Sequence, residues 1–223
     1  MLPYRKLEAP AGERKILAGE ALRQRSRDKI TIVGGNGATR VLPLGTLLGQ
    51  ITLGAVTITA DAGNTGDGAL TAATAGAMAQ AGAYVLTCVV AAANAARFQV
   101  VAPNGQRLAD AIEGTSYSSP HLSFDLADGA TDFVVGDVIT VSFAEGSGAY
   151  VAWTPGARDG SQTVAAVLTS DQEAPDGVDI AAMALVREAE IRLSGITWPD
   201  PVTDGEKAAA FAALEKRGIL VVN

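Results

Sequence analysis

The chain has 223 residues, 17 Lys and Arg against 24 Asp and Glu, a net charge of −7, one Cys and one His. One cysteine makes no internal disulfide, and one cysteine with one histidine does not assemble a His/Cys zinc site, which removes zinc hydrolase chemistry and a disulfide-stapled scaffold. Hydrophobic residues at 48% and charged residues at 18% suit a packed chain of one large or two small domains.

Charge sets the first thirty residues apart. Arg5, Lys6, Arg14, Lys15, Arg23, Arg25, Arg27 and Lys29 face Glu8, Glu13, Glu20 and Asp28, a surplus of four that leaves −11 on the remainder. Pro3 and Pro10 break an early helix, and Leu2, Tyr4, Leu7, Ile16, Leu17 and Leu22 are too sparse for a core. Residues 1–30 therefore read as an extended basic arm, solvated or ordered by a partner. The stretch lacks an apolar h-region, so a start in a cytoplasm is expected. The acidic body, without an Arg-rich run, argues against direct nucleic-acid binding.

After the arm, Lys29-Ile-Thr-Ile-Val33 reads as a strand ended by the turn Gly34-Gly-Asn-Gly37. This is not a dinucleotide fingerprint, because Arg40 stands where its third glycine belongs. An apolar segment from Thr46 to Leu53 leads into the alternating strand Val56-Thr-Ile-Thr59. Short strands with Gly, Asn and Asp turns follow: Tyr84 to Val90, Arg97 to Val101, Leu122 to Leu126 and Val138 to Phe143, the pattern of a β-sandwich. The uncharged run Gly68 to Ala96 has the length of a membrane span but lacks the Leu, Ile and Phe density for one, and half-buried strands suit it better. Past Gly148, Tyr150 to Trp153, Thr163 to Leu168 and Ala184 to Leu193 read as strands. Thr203-Asp-Gly-Glu206 is a capping box opening the one clear helix, Gly218 its stop, and Ile219 to Val222 a last strand.

The search for chemistry is mostly negative. His121 stands beside Ser118 and Ser119 but without a G-x-S-x-G elbow, and reads as a surface loop residue. Cys88 sits mid-strand among apolar neighbours, as a buried thiol does. Asp61, Asn64 and Asp67 resemble calcium ligands, yet Gly63 and Thr65 stand where an EF-hand supplies Asp or Asn, and no repeat follows. Asp125, Asp128, Asp132 and Asp137 read as turn formers on a solvated face. No catalytic residue, metal ligand or cofactor site is expected, and the chain reads as a non-enzyme.

The run Ile196-Thr-Trp-Pro-Asp-Pro-Val-Thr-Asp-Gly-Glu-Lys207, the Ala-rich helix with Phe211, and Gly218-Ile-Leu-Val-Val222 resemble the C-terminus of the lambda-type phage head decoration proteins. Tyr150-Val-Ala-Trp153 with Asp159-Gly-Ser-Gln162 and Ala165-Ala-Val-Leu168 resembles the strand-turn-strand of that family. Ser26-Arg-Asp-Lys-Ile-Thr-Ile32 with Leu42-Pro-Leu-Gly-Thr-Leu-Leu-Gly49 is similar to the opening of its longer members. The segment between departs from the short members and resembles a β-module of phage structural proteins. The organisation read from this is a basic arm at 1–30, a decoration core at 31–59 and 147–223, and an inserted β-sandwich module at 60–146. The fold class is mainly β, an α+β decoration core with one C-terminal helix plus the inserted sandwich.

The resemblance implies a cement protein that binds the outer surface of the expanded capsid as homotrimers and stabilises it against packaged DNA, with the major capsid protein as partner and no membrane contact. The arm is then the capsid contact, with Leu2, Tyr4, Arg5, Lys6, Leu7, Arg14 and Lys15 as candidate residues. The competing reading is a glycan-binding or adhesive module of a tail fibre or surface layer, which gives the inserted sandwich a host-surface glycan as partner. That reading needs an exposed aromatic platform among Tyr84, Phe98, Tyr117, Phe124, Phe133 and Phe143.

Overall fold

Period-two alternation, turn glycines and a single capping box carry through into the backbone: strand exceeds helix by 45% to 10%, so the protein is mainly β. The computed structural model describes residues 12–223. The early strands are β1 (Leu17–Glu20), β2 (Arg27–Ile32), β3 (Arg40–Leu42), β4 (Leu47–Gln50), β5 (Leu53–Ala60) and β6 (Ala69–Ala75). The middle ones are β7 (Gly82–Val90), β8 (Arg97–Val101), β9 (Ala111–Ile112), β10 (Ser116–Ser118), β11 (Leu122–Ala127) and β12 (Val138–Glu145). The last are β13 (Tyr150–Ala152), β14 (Val164–Leu168), β15 (Gln172–Ala174), β16 (Ile180–Leu185), β17 (Ala189–Arg192) and β18 (Ile219–Val222). Helix α1 (Arg23–Ser26) is one turn, and α2 (Asp204–Glu215) is the capped helix near the C-terminus.

The chain forms two units. Unit 1 takes the residues up to Ile51, Gly148–Ala157 and Ser161–Asn223; unit 2 takes Thr52–Ser147 with Arg158–Gly160.

Unit 1 is built on a closed five-stranded barrel in the order β13-β2-β16-β14-β4. Its strand β14, Val-Ala-Ala-Val-Leu, is buried at every position, which is why it lacks alternation. A three-stranded sheet, β1-β17-β18, and the pair β3-β15 complete the unit. In α2 the Thr203 hydroxyl accepts from the Glu206 N–H while the Glu206 carboxylate accepts from the Thr203 N–H, the reciprocal box that the sequence predicts. Ala210 and Leu214 are the buried residues of the helix. Trp198 packs edge-on between Trp153 (6.2 Å) and Phe211 (5.6 Å), so the one aromatic residue of the Ile196 to Lys207 region serves the core.

The single strand expected over Ala184 to Leu193 is instead the end of β16 and the whole of β17, broken at Val186 to Glu188. Glu188 takes a left-handed φ of 48°, and its N–H donates to Arg217 O while Val186 N–H donates to Ser26 O. The chain leaves the barrel here for the small sheet; Ala184, Leu185 and Val186 are all buried at the crossing, and over this span alternation is kept only in β17.

Unit 2 is a sandwich of a five-stranded sheet, β5-β12-β7-β8-β9, and a three-stranded sheet, β10-β11-β6. Its core joins Leu86, Cys88, Phe98, Val100, Ile139 and Val141 to Leu70, Leu122, Phe124 and Leu126. Strand β5 pairs with β12 (Val56 with Phe143, Ile58 with Val141), so this unit begins at Thr52, whereas the sequence places the start of the insert at residue 60. An alternating strand does not reveal which sheet it joins until its partner is known.

Candidate functional site

The candidate contact segment enters unit 1 through residues 12–20. Glu13–Lys15 form one 3₁₀ turn, and Ile16 is completely buried beside Leu47, Val167 and Ile191. Strand β1 pairs antiparallel with β17, and Ile16 O accepts from Arg192 N–H at 2.7 Å. The crossing is tight: a Cβ on Gly195 would stand 2.3 Å from Lys15 O, so glycine is required there. The basic arm drawn to residue 30 from charge is therefore folded into unit 1 from residue 12. Few apolar residues suffice because Ile16 and Leu17 are covered by a sheet formed elsewhere in the chain.

Arg27 fixes this segment. Its Nε and Nη2 donate to the two Glu20 carboxylate oxygens, both at 2.8 Å, and its Nη1 donates to Glu13 Oε1 at 2.9 Å. The Ser26 hydroxyl adds a bond to Glu20 at 2.8 Å. Burial alone would lower the Arg27 pKa, but the bonds and charges of Glu20 and Glu13 outweigh it and raise it. Arg25 pairs with Glu188, and Asp28 with Arg187. Two of the eight cations that suggest a partner-seeking arm thus bind acids of this fold.

Of the sequence candidates, Arg14 and Lys15 stand exposed on the 3₁₀ turn, beside the buried Ile16. Leu2, Tyr4, Arg5, Lys6 and Leu7 lie outside the described residues. Sequence reasoning missed Glu13, Glu20 and Arg27 as the clamp of the segment; the signal was the Ile16-Leu17 pair amid charge, which marks a tied-down segment rather than a free tail.

The loops of unit 2 use their polar groups internally. Asp137, read as part of a solvated face, is buried: its carboxylate accepts N–H bonds from Thr65 (3.0 Å), Gly66 (2.9 Å) and Val134 (3.0 Å). Burial pushes its pKa up, and the three donors more than reverse this, leaving it lowered. Asn64 binds both main-chain groups of Val138, Asp67 accepts from Thr131 N–H and Asp61 from Gly63 N–H. These side chains close turns, and among the described residues no group of three acidic, His or Cys side chains converges as a metal site.

His121, expected at the surface, is 5% exposed, tucked beside Tyr84 at a ring separation of 6.3 Å. The Ser119 hydroxyl accepts from the N–H groups of His121 and Leu122, so the serine and histidine build a turn. Cys88 is buried, and burial first, then the charge of Asp137, pushes its thiol pKa up, away from nucleophilic use. All six aromatic residues of unit 2 (Tyr84, Phe98, Tyr117, Phe124, Phe133 and Phe143) are buried, which removes the platform that the glycan-binding reading needs.

The family model of the bacteriophage lambda head decoration protein D matches residues 73–219, about two thirds of the chain. The chain belongs to this family. The matched span contains the Tyr150 to Trp153 strand, the Trp198 aromatic cluster, the Thr203 box and α2, which are among the features that carry the resemblance in the sequence. It is a structural family of the phage head. No curated protein matches the sequence. Two crystal forms of Xanthomonas campestris FlgL are similar at 18% identity and a TM-score of 0.32, over 46% of this chain and 33% of theirs, so the likeness spans about a third of FlgL.

Proposed function

We propose that this head decoration protein acts as a cement: it binds the outer surface of the expanded capsid as homotrimers and holds neighbouring capsid subunits together against packaged DNA. It does so by non-covalent contact alone, without catalysis or a cofactor, and it reaches the head from the host cytoplasm during assembly. The observation that carries the reading is the family match together with the core placement of the Trp198 cluster and of α2 in unit 1.

The capsid contact in this reading is the N-terminal segment, with Leu2, Tyr4, Arg5, Lys6 and Leu7 upstream of the clamp and Arg14 and Lys15 beside it. An extended segment adds to a sheet edge through main-chain bonds, and cations speed encounter with an acidic shell. Anchoring by Arg27 supports this role, because a contact segment leaving a fixed point loses less entropy on ordering than one leaving a free tail.

The test adds purified protein to expanded, undecorated heads and reads occupancy, symmetry and resistance to heat. Trimers at threefold positions that raise the rupture temperature are expected. Removal of residues 2–11, which spares the buried Ile16 and the Glu13 bond, is expected to abolish head binding without changing the melting of the free protein. Full occupancy by the truncated protein would move the attachment surface onto the folded units, and bound protein without threefold symmetry on the shell would end the trimer reading.

A further inference from the structure

Among the described residues, strand β5 forms one margin of the five-stranded sheet and pairs on one side only, with β12. Its sequence, Leu-Gly-Ala-Val-Thr-Ile-Thr-Ala, carries no charge and no proline, whereas the opposite margin, β9, is two residues long. Long uncharged edges of this kind are templates for another strand. The phase of its hydrogen bonds follows from two bonds at the start of β12, one on each side of it. Asp61 N–H donates to Val138 O, and on the other side of β12 Cys88 N–H donates to Asp137 O. Alternation along the registers then turns the main-chain groups of Thr57 and Thr59 toward β12 and those of Val56, Ile58 and Ala60 away from the sheet.

The side chains tell the same story. Val56 and Ile58 stand opposite Phe143 and Val141, both buried, so they belong to the core face of the sheet. Each is nevertheless 39% exposed, because three strands opposite do not cover five.

We propose that β5 pairs with β5 of a second copy, antiparallel about a twofold axis at Thr57. Among registers that bring outward-facing main-chain groups together, this one overlaps the strand most fully. It sets Val56 against Ile58 of the second copy and Ile58 against Val56, an apolar pair on each side of the axis. Thr57 meets Thr57, and Ala55 meets Thr59, on the outer face. Asp61 falls at the two ends, far from its counterpart. The edge itself is uncharged, so it offers a charged partner no anchor, while an identical uncharged strand meets it without repulsion at the contact despite the net charge of −7. Copies crowded on one head supply the local concentration, and this last step rests on the proposed decoration of the shell.

The twofold pair at Thr57 is non-hydrogen-bonded, with Cα atoms about 4.5 Å apart, inside the range that a disulfide spans. Thr57→Cys in the full chain is therefore oxidised both free at high concentration and bound to heads, and is expected to give a covalent dimer. Thr59→Cys, on the same face but opposite Ala55, is expected to give at least about tenfold less. Wild-type protein, whose one thiol is buried Cys88, is the blank. Adding Ile58→Pro, which removes an outward N–H and leaves β12 pairing intact, or Ile58→Lys if the proline disturbs melting, is expected to abolish the cross-link. Equal yields from Thr57→Cys and Thr59→Cys, no cross-link in either setting, or cross-linking to a capsid subunit instead overturns the proposal. Head occupancy is measured on the same samples: binding without cross-linking defeats this pairing alone, and cross-linking without binding defeats the decoration reading alone.

Discussion

Arg27 and Glu20 meet through two parallel hydrogen bonds of 2.8 Å inside unit 1, where their side chains are 6% and 13% exposed. The pair joins the start of β2 to the end of β1, and Glu13 extends it to the first turn. Charge that suggests a tail by composition is thereby spent in holding the first folded residues to the barrel.

Arg27→Met is expected to destabilise unit 1 by about 3 kcal/mol, because it strands two largely buried carboxylates. Adding Glu20→Gln should return part of that loss, as coupled neighbours do in a double-mutant cycle. Since the Arg27 pKa is raised in the folded state, its contribution is fully present below the ordinary arginine value and is lost only as pH rises through the raised one. Urea titrations at neutral pH check the losses; additive effects of the two substitutions would show that the pair is not coupled.

Unit 2 depends on Asp137 in the opposite sense. Its carboxylate holds three N–H groups of the loops at Thr65–Gly66 and Val134, and charged acceptors of this kind contribute about 1.5–3 kcal/mol per bond lost. Asp137→Asn keeps the shape but loses charge and one acceptor, so the melting temperature of unit 2 should fall. The folded pKa is depressed, so the stabilisation is present above the ordinary value of 3.8 and disappears as pH drops through the lower folded one. Acid titration of wild type followed through unit 2 should show this loss, and Asp137→Asn should flatten it.

Glu113 gives a titration of the other sign. It is 2% exposed, with one oxygen accepting from Ala96 N–H at 3.1 Å and the other without a hydrogen-bond partner. Burial is the main cause of its raised pKa, opposed by the Ala96 bond and reinforced by Asp128 and Asp132. A raised carboxyl favours the fold below its ordinary value of 4.5 and loses that contribution as pH rises through the folded value. Glu113→Gln, neutral throughout, should therefore melt above wild type at alkaline pH and converge with it in acid. A constant difference across pH would assign the effect to packing.

Local signals were legible in proportion to how locally they are decided. Thr203 and Glu206 announce α2 because a capping box needs only residues three apart. The strands of the sandwich announce themselves by alternation. What stayed hidden depends on distant partners: β1 is short and charged at its end, and only β17 makes it a strand. Asp137 and His121 looked like surface loop residues because nothing nearby in sequence reports that the loop at 65–66 closes over the one and Tyr84 of β7 over the other. The clamp Glu13, Glu20 and Arg27 was read as net charge, since pairing is invisible to composition. Head decoration was legible from the order of C-terminal motifs, whereas the contact residues were assigned by charge, and part of that charge is internal.

Removing residues 52–148, which takes away unit 2 except the short Arg158–Gly160 stretch, is expected to leave head binding intact. Strands β4 and β13 are antiparallel neighbours, Tyr150 with Gln50 and Val151 with Gly49, and the chain leaves and re-enters unit 1 at the end of this pair. Ile51 N–H donates to Ala149 O at 2.9 Å and Gly148 N–H to Ile51 O at 3.0 Å, so the two ends already meet as a hairpin does. Replacing residues 52–148 by an Asn-Gly turn joins Ile51 to Ala149 with the connection favoured between two such strands. The closure entropy saved offsets part of any loss, because a long loop is exchanged for a tight turn. The two cores of unit 1 contain no residue from 52 to 148, so their packing survives. The shortened protein should melt in one transition and saturate expanded heads with an affinity within about tenfold of the full chain, or about 1.4 kcal/mol. A shortened protein that folds but leaves the heads bare would place the attachment surface on unit 2 and remove the N-terminal segment from that role.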